Sequence, residues 1–108
     1  MQTSFTAVIE QSNRYSGDFE TEPYEAAWAS EARWFVTVEE LEGYQIWFIP
    51  QISADGLHWC DEGSPRLYFD KPGLQSLPLT NFGHWLRLRA IHPGGASSKV
   101  LIYLAMKG

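Results

Sequence analysis

Apolar and polar residues alternate along most of this chain. Trp34, Val36 and Val38 alternate with Phe35, Thr37 and Glu39; Leu86, Leu88 and Ala90 alternate with Trp85, Arg87 and Arg89; Val100, Ile102 and Leu104 alternate with Leu101, Tyr103 and Ala105. A period of two places each set on one face of a β-strand. Phe5, Ala7 and Ile9 form a similar set against Ser4, Thr6 and Glu10, although Val8 interrupts the polar positions. Turn signals punctuate the pattern at Ser12-Asn13, Ser16-Gly17-Asp18, Glu42-Gly43, Asp55-Gly56, Gly63-Ser64-Pro65, Lys71-Pro72-Gly73, Asn81-Phe82-Gly83 and Pro93-Gly94-Gly95. The pattern predicts strands over 3–10, 24–29, 32–41, 44–53, 66–70, 75–80, 84–91 and 98–107. Residues 22–33 fit either a strand or a short helix opened by Pro23, and the surrounding β pattern favours the strand. Short strands at regular spacing predict an all-β, antiparallel two-sheet sandwich, jelly-roll-like, of about eight strands, with residues 1–108 as a single domain.

The segment Ser53-Ala54-Asp55-Gly56-Leu57-His58-Trp59 is the strongest local signal. Asp-Gly between apolar runs marks a hairpin, because glycine supplies positive φ and aspartate bonds its own turn. Asp55 is expected to accept backbone N–H groups there, and Trp59 to close over the hairpin and seal the edge of the core.

Composition narrows the function classes. A hydrophobic fraction of 44% with 15% aromatics supports a packed core and argues against disorder. The net charge of −5 argues against a nucleic-acid partner, which requires a basic footprint. The charge is uneven: residues 1–42 carry nine acids against Arg14 and Arg33, whereas residues 43–108 carry four acids against six bases. A solvated acidic edge explains this simply; complementary surfaces that steer self-association explain it more sharply. The lone Cys60 leaves no internal disulfide. The strand-like start Met1-Gln2-Thr3-Ser4-Phe5 lacks the features of a signal peptide, and no apolar run reaches membrane-spanning length. A cytoplasmic or virion-associated protein with no membrane partner is expected.

Catalytic chemistry finds no support in the sequence. His58, His84 and His92 are scattered, so no metal site and no cofactor is expected. There is no nucleophile elbow and no phosphate-binding loop. Glu39 and Glu40 would point to opposite strand faces and cannot converge as an acid pair. Binding chemistry fares better. With Leu86, Leu88 and Ala90 turned inward, Trp85, Arg87 and Arg89 line the opposite face, and Trp47 raises the same question on its own strand. Tryptophan with arginine is the composition of an interface hot spot. The plain structural reading is a cross-strand ladder of these arginines with acids such as Glu39.

The 53–59 segment differs from the Asp-box of sialidase propellers, which has one more residue between its Asp and Gly and recurs blade by blade. In the order Phe48-Ile49-Pro50-Gln51-Ile52-Ser53-Ala54-Asp55-Gly56-Leu57-His58-Trp59, then Asn81-Phe82-Gly83-His84-Trp85-Leu86-Arg87-Leu88, then Lys99 to Gly108, the chain resembles another group. This is the small jelly-roll-like sandwich domains of phage, virion-associated and uncharacterised bacterial proteins, which share a Ser-x-Asp-Gly-x-x-Trp turn. The resemblance covers residues 30–108, and Pro50 and the acidic run at 39–42 depart from it. It implies the sandwich fold and no catalytic residues. The expected function is therefore a non-enzymatic structural or interaction domain that self-associates or docks on a larger protein assembly through Trp47, Trp85, Arg87 and Arg89. The alternative is a carbohydrate-binding module that stacks a glycan on exposed aromatics.

Overall fold

The computed structural model describes residues 3–108; Met1 and Gln2, the start of the expected N-terminal strand, lie outside the described residues. The strands are β1 (Ser4–Ser16), β2 (Phe19–Glu20), β3 (Tyr24–Glu25), β4 (Glu31–Glu42), β5 (Ile46–Ser53), β6 (Cys60–Asp61), β7 (Leu67–Phe69), β8 (Gly73–Thr80), β9 (Trp85–Ile91) and β10 (Ser97–Lys107), with one 3-10 turn at Pro93–Gly95. They form two antiparallel sheets. The four-stranded sheet has the order β1-β10-β4-β8, and the six-stranded sheet β2-β9-β5-β6, with β3 also on β9 and β7 also on β5. The short strands β2 and β3 lie in succession along one edge of β9, and β6 and β7 along the far edge of β5. Counting each pair as one interrupted arm gives eight arms, four per sheet, in the double Greek-key order of a jelly roll.

The alternation read from the sequence is the inside-outside alternation of the sandwich. Trp34, Val36 and Val38 of β4 and Val100, Ile102 and Leu104 of β10 are buried, as are Leu86, Leu88 and Ala90 of β9 and Ile46 and Phe48 of β5. Burial of these chains between the sheets supplies the main drive to fold.

Three local differences have physical causes. Strand β1 runs to Ser16 instead of stopping at the Ser12-Asn13 turn signal. Both irregularities are absorbed as bulges: the register with β10 shifts between Val8 and Glu10 and between Gln11 and Asn13, and Ser12 takes φ 57°. The first bulge moves Ile9 off the inward phase and puts Glu10 there, paired with Ile102. The buried Glu10 carboxylate accepts hydrogen bonds from Asn13 Nδ2 and Tyr15 Oη, each 2.7 Å. Second, residues 24–29 hold only the two-residue β3 and then a turn closed by Ala29 N–H donating to Ala26 C=O at 3.1 Å; there is no helix. Third, Pro50 sits in the middle of the sheet. Its carbonyl accepts Glu62 N–H at 2.9 Å, so its nitrogen faces the interruption between β6 and β7, where no ladder bond is lost. On the other side of the sheet, Thr21 fills the gap between β2 and β3: its N–H donates to Leu88 C=O and its Oγ1 accepts Leu88 N–H, both at 2.9 Å.

Candidate functional site

The site begins where β5 ends. Ser53 Oγ accepts Gly56 N–H at 2.8 Å and donates to Asp55 Oδ1 at 3.0 Å. Asp55 Oδ1 in turn accepts Leu57 and His58 N–H, both at 2.9 Å, and Asp55 Oδ2 lies 2.7 Å from His58 Nδ1. The His58 side chain, followed by the backbone N–H groups of His58 and Leu57, holds the Asp55 carboxyl well below the usual carboxylate range. The same contact raises the His58 imidazole above its ordinary value. One aspartate thus organises the loop 54–59, which bends back over the outer face of the six-stranded sheet. Gly56 (φ 80°) lies flat against the Trp85 indole; a Cβ there would sit 3.2 Å from ring atoms. The Trp59 ring lies under the Arg87 guanidinium, whose Cζ is 4.3 Å from the ring centroid. Trp59 therefore packs on the outer face beside Arg87.

Register then fixes who neighbours whom. Between β5 and β9 the outward pairs are Ser53 with Trp85, Gln51 with Arg87, Ile49 with Arg89 and Trp47 with Ile91. All four residues expected to form an interaction face share this one surface. They divide into two halves. In one half, Arg87 Nε donates to Gln51 Oε1 at 2.8 Å, and Gln51 Nε2 donates to Asp61 Oδ1 at 3.0 Å. Trp85 is half-buried beneath the loop, with the His84 ring stacked on it at 5.7 Å and His84 Nε2 3.1 Å from Glu25 Oε1. This half is covered by the chain itself.

The other half is open. Trp47 is half-buried, tilted against Tyr68 at 5.6 Å, with the Arg66 guanidinium 5.8 Å from its ring centroid. Tyr68 is 51% exposed, and Arg89 is exposed with no side-chain hydrogen bond or ion pair among the described residues. The arginine ladder with Glu39 does not form: Glu39 lies on β4 in the other sheet, as the extra residue of a bulge opposite β10. The acids nearest in register are Glu20 and Glu25, on the strands bordering β9. Sequence reasoning passed over Tyr68 and Arg66. The Leu67-Tyr68-Phe69 alternation marks Tyr68 as outward, but only the pairing of Trp47 with Tyr68 brings it to this face.

Among the described residues no group of three or more His, Cys, Asp and Glu could hold a metal ion. No helix is long and apolar enough to cross a membrane among the described residues. His92 is buried, with Nε2 2.7 Å from Ser98 Oγ, and desolvation lowers its affinity for a proton.

No known family profile matches the chain, and no curated protein matches it by sequence. Solved structures do match. The SPBc2 prophage-derived protein YomS superposes with a TM-score of 0.71 at 4% identity, over 100% of this chain and 96% of that one. The PBSX exported protein XepA gives 0.62 at 10% identity, over 98% of this chain, which spans only 36% of XepA. The CBM36-1 domain of a multidomain xylanase from the hindgut metagenome of Trinervitermes trinervoides gives 0.52 at 10% identity, over 98% of both chains. At these identities the likeness is one of fold: a β-sandwich shared with prophage proteins and with a carbohydrate-binding module.

Proposed function

We propose that this chain is a non-enzymatic structural or interaction domain that associates with further copies of itself, or docks on a larger protein assembly, through the outer face of its six-stranded sheet. The observation that carries this reading is the open half of that face. Trp47, Tyr68, Arg66 and Arg89 make a compact aromatic and cationic patch of the kind that anchors protein interfaces. The covered half contributes rigidity, since Trp85 and Arg87 are already held by Gly56, Trp59 and Gln51. The acidic segment lies along the same sheet: Glu20 and Glu25 border β9, one strand away from Arg89. A twofold arrangement of two copies would set the acidic edge of each against the arginines of the other, which fixes orientation. The fold is shared with an exported and a prophage-derived protein.

Native mass measurement over a concentration series tests this. A dimer or larger species is expected, with Arg89→Glu and Trp47→Ala shifting it toward monomer. A wild-type protein that stays monomeric at high concentration and brings down no partner overturns the reading.

A further inference from the structure

The opposite, four-stranded sheet carries a hollow of about 370 Å³ on its outer face. Its origin is a small residue among large ones. On β10 the outward positions are Tyr103, Ala105 and Lys107; on β4 they are Glu31, Arg33 and Phe35; on β8 they are Ser76, Pro78 and Thr80. Ala105 is paired with Arg33, and its methyl group leaves the floor low. Phe35 and Pro78 form apolar walls, and Glu31, Arg33, Thr80 and Lys107 form the rim.

The rim is solvent-exposed and little engaged with the rest of the chain. Glu31 and Lys107 are cross-strand partners in register, yet they make no ion pair, and neither they nor Thr80 makes a side-chain hydrogen bond among the described residues. Arg33 is held in place by Nη1 donating to Ser76 Oγ at 3.0 Å, its one side-chain hydrogen bond among the described residues. With one carboxylate beside two cationic groups, the rim offers both acceptors and donors. A group that both donates and accepts hydrogen bonds, and has an apolar face to lay on Phe35, satisfies every element. A neutral sugar ring is such a group: its hydroxyls serve the mixed-sign rim and its C–H face meets the phenyl ring. The volume falls within the range of small-ligand sites, about 300–1,000 Å³.

We infer that this hollow binds a neutral pyranose unit of an oligosaccharide, with Phe35 as the stacking platform and Glu31, Arg33, Thr80 and Lys107 as hydroxyl partners. The site lies on the sheet opposite Trp47 and Arg89, so it stands or falls separately from the docking face.

The test is titration of the isotope-labelled full chain with xylohexaose, cellohexaose and mannohexaose at millimolar concentration, with hexagalacturonate as the acidic comparison. At least one neutral probe is expected to shift the amide signals of Arg33, Phe35, Ala105 and Lys107. Phe35→Ala is expected to weaken binding about tenfold or more. Because Phe35 is half-buried, Ala105→Leu serves as the second variant: it removes no group, fills the floor and should abolish binding while the rest of the amide spectrum is kept. Arg89→Glu should leave the shifts unchanged. Absence of shifts with all three neutral probes, response to the acidic probe alone, or binding that survives Ala105→Leu overturns the inference.

Discussion

Asp55 shows how much one side chain can organise. Its carboxylate ties two backbone N–H groups and the His58 ring into a single loop, and each partner helps the others. The pH consequences follow by sign. The folded state depresses Asp55, so its contribution is present above the ordinary value of 3.8 and is lost as pH falls. The folded state raises His58, so its contribution is complete below the ordinary 6.5 and is lost as pH rises through the raised value. His92 is lowered by burial; its contribution is present above 6.5 and declines as pH falls below it. A proton NMR titration should therefore find the His58 midpoint above 6.5, returning toward it in Asp55→Asn, with the His92 midpoint below 6.5. Gly56 is the other residue the loop cannot exchange freely. Its φ of 80° and its contact with Trp85 make Gly56→Val cost about 1–3 kcal/mol in denaturant unfolding. The turn chemistry of Ser53, Asp55 and Gly56 was legible in sequence, because those bonds are local. The place of Trp59 was not, since its partner Arg87 is 28 positions away along the chain.

Among the elements, strong alternation located β4, β5, β8, β9 and β10 to within two residues, because a half-buried strand needs little beyond its own pattern. The two-residue strands β2 and β6 carry too few residues to show a period. Strand β1 carries one, but two bulges shift its phase, and a bulge depends on the partner strand as much as on its own sequence. Glu10 is the consequence. Its inward carboxylate is tolerable because Asn13 and Tyr15 satisfy it, and burial together with Glu10 pushes the Tyr15 phenol up to about 12. Glu10→Ala is expected to destabilise the fold by about 0.5–1.5 kcal/mol, because the part-buried hydrogen bonds from Asn13 and Tyr15 are lost. Leu88→Ala, at a fully buried position of β9, should cost about 2–5 kcal/mol in the same assay. Leu74→Ala, at a residue 63% exposed on β8, should stay within about 0.5 kcal/mol.

For the whole molecule, the jelly roll turns a linear list of outward residues into two distinct surfaces on opposite sheets. The six-stranded sheet presents aromatic and cationic groups, half covered by the 54–59 loop; the four-stranded sheet presents the hollow around Ala105. The division of the first surface separates two arginines that look equivalent in sequence. Arg87→Glu breaks the contacts to Trp59 and Gln51 and places a carboxylate near Asp61, so lower stability is expected whatever the oligomeric state. Arg89→Ala breaks no side-chain hydrogen bond or ion pair among the described residues, so it should change association while leaving the unfolding midpoint nearly unchanged, whereas Arg89→Glu also sets a like charge opposite Glu20, its register partner, and should lower the midpoint slightly. Calorimetry beside native mass measurement checks both.

The sandwich, the inward and outward sets of β4, β9 and β10 and the chemistry of the Asp-Gly loop are legible in the order of the residues. Each of these follows from residues close together in the chain, where side-chain period and turn geometry act directly. Which outward residues touch, which half of the face the loop covers, and where a small alanine leaves a hollow depend on how the strands pair. Strand pairing in a jelly roll joins positions far apart in sequence, β1 with β10 and β4 with β8 among them, and no local preference encodes that register.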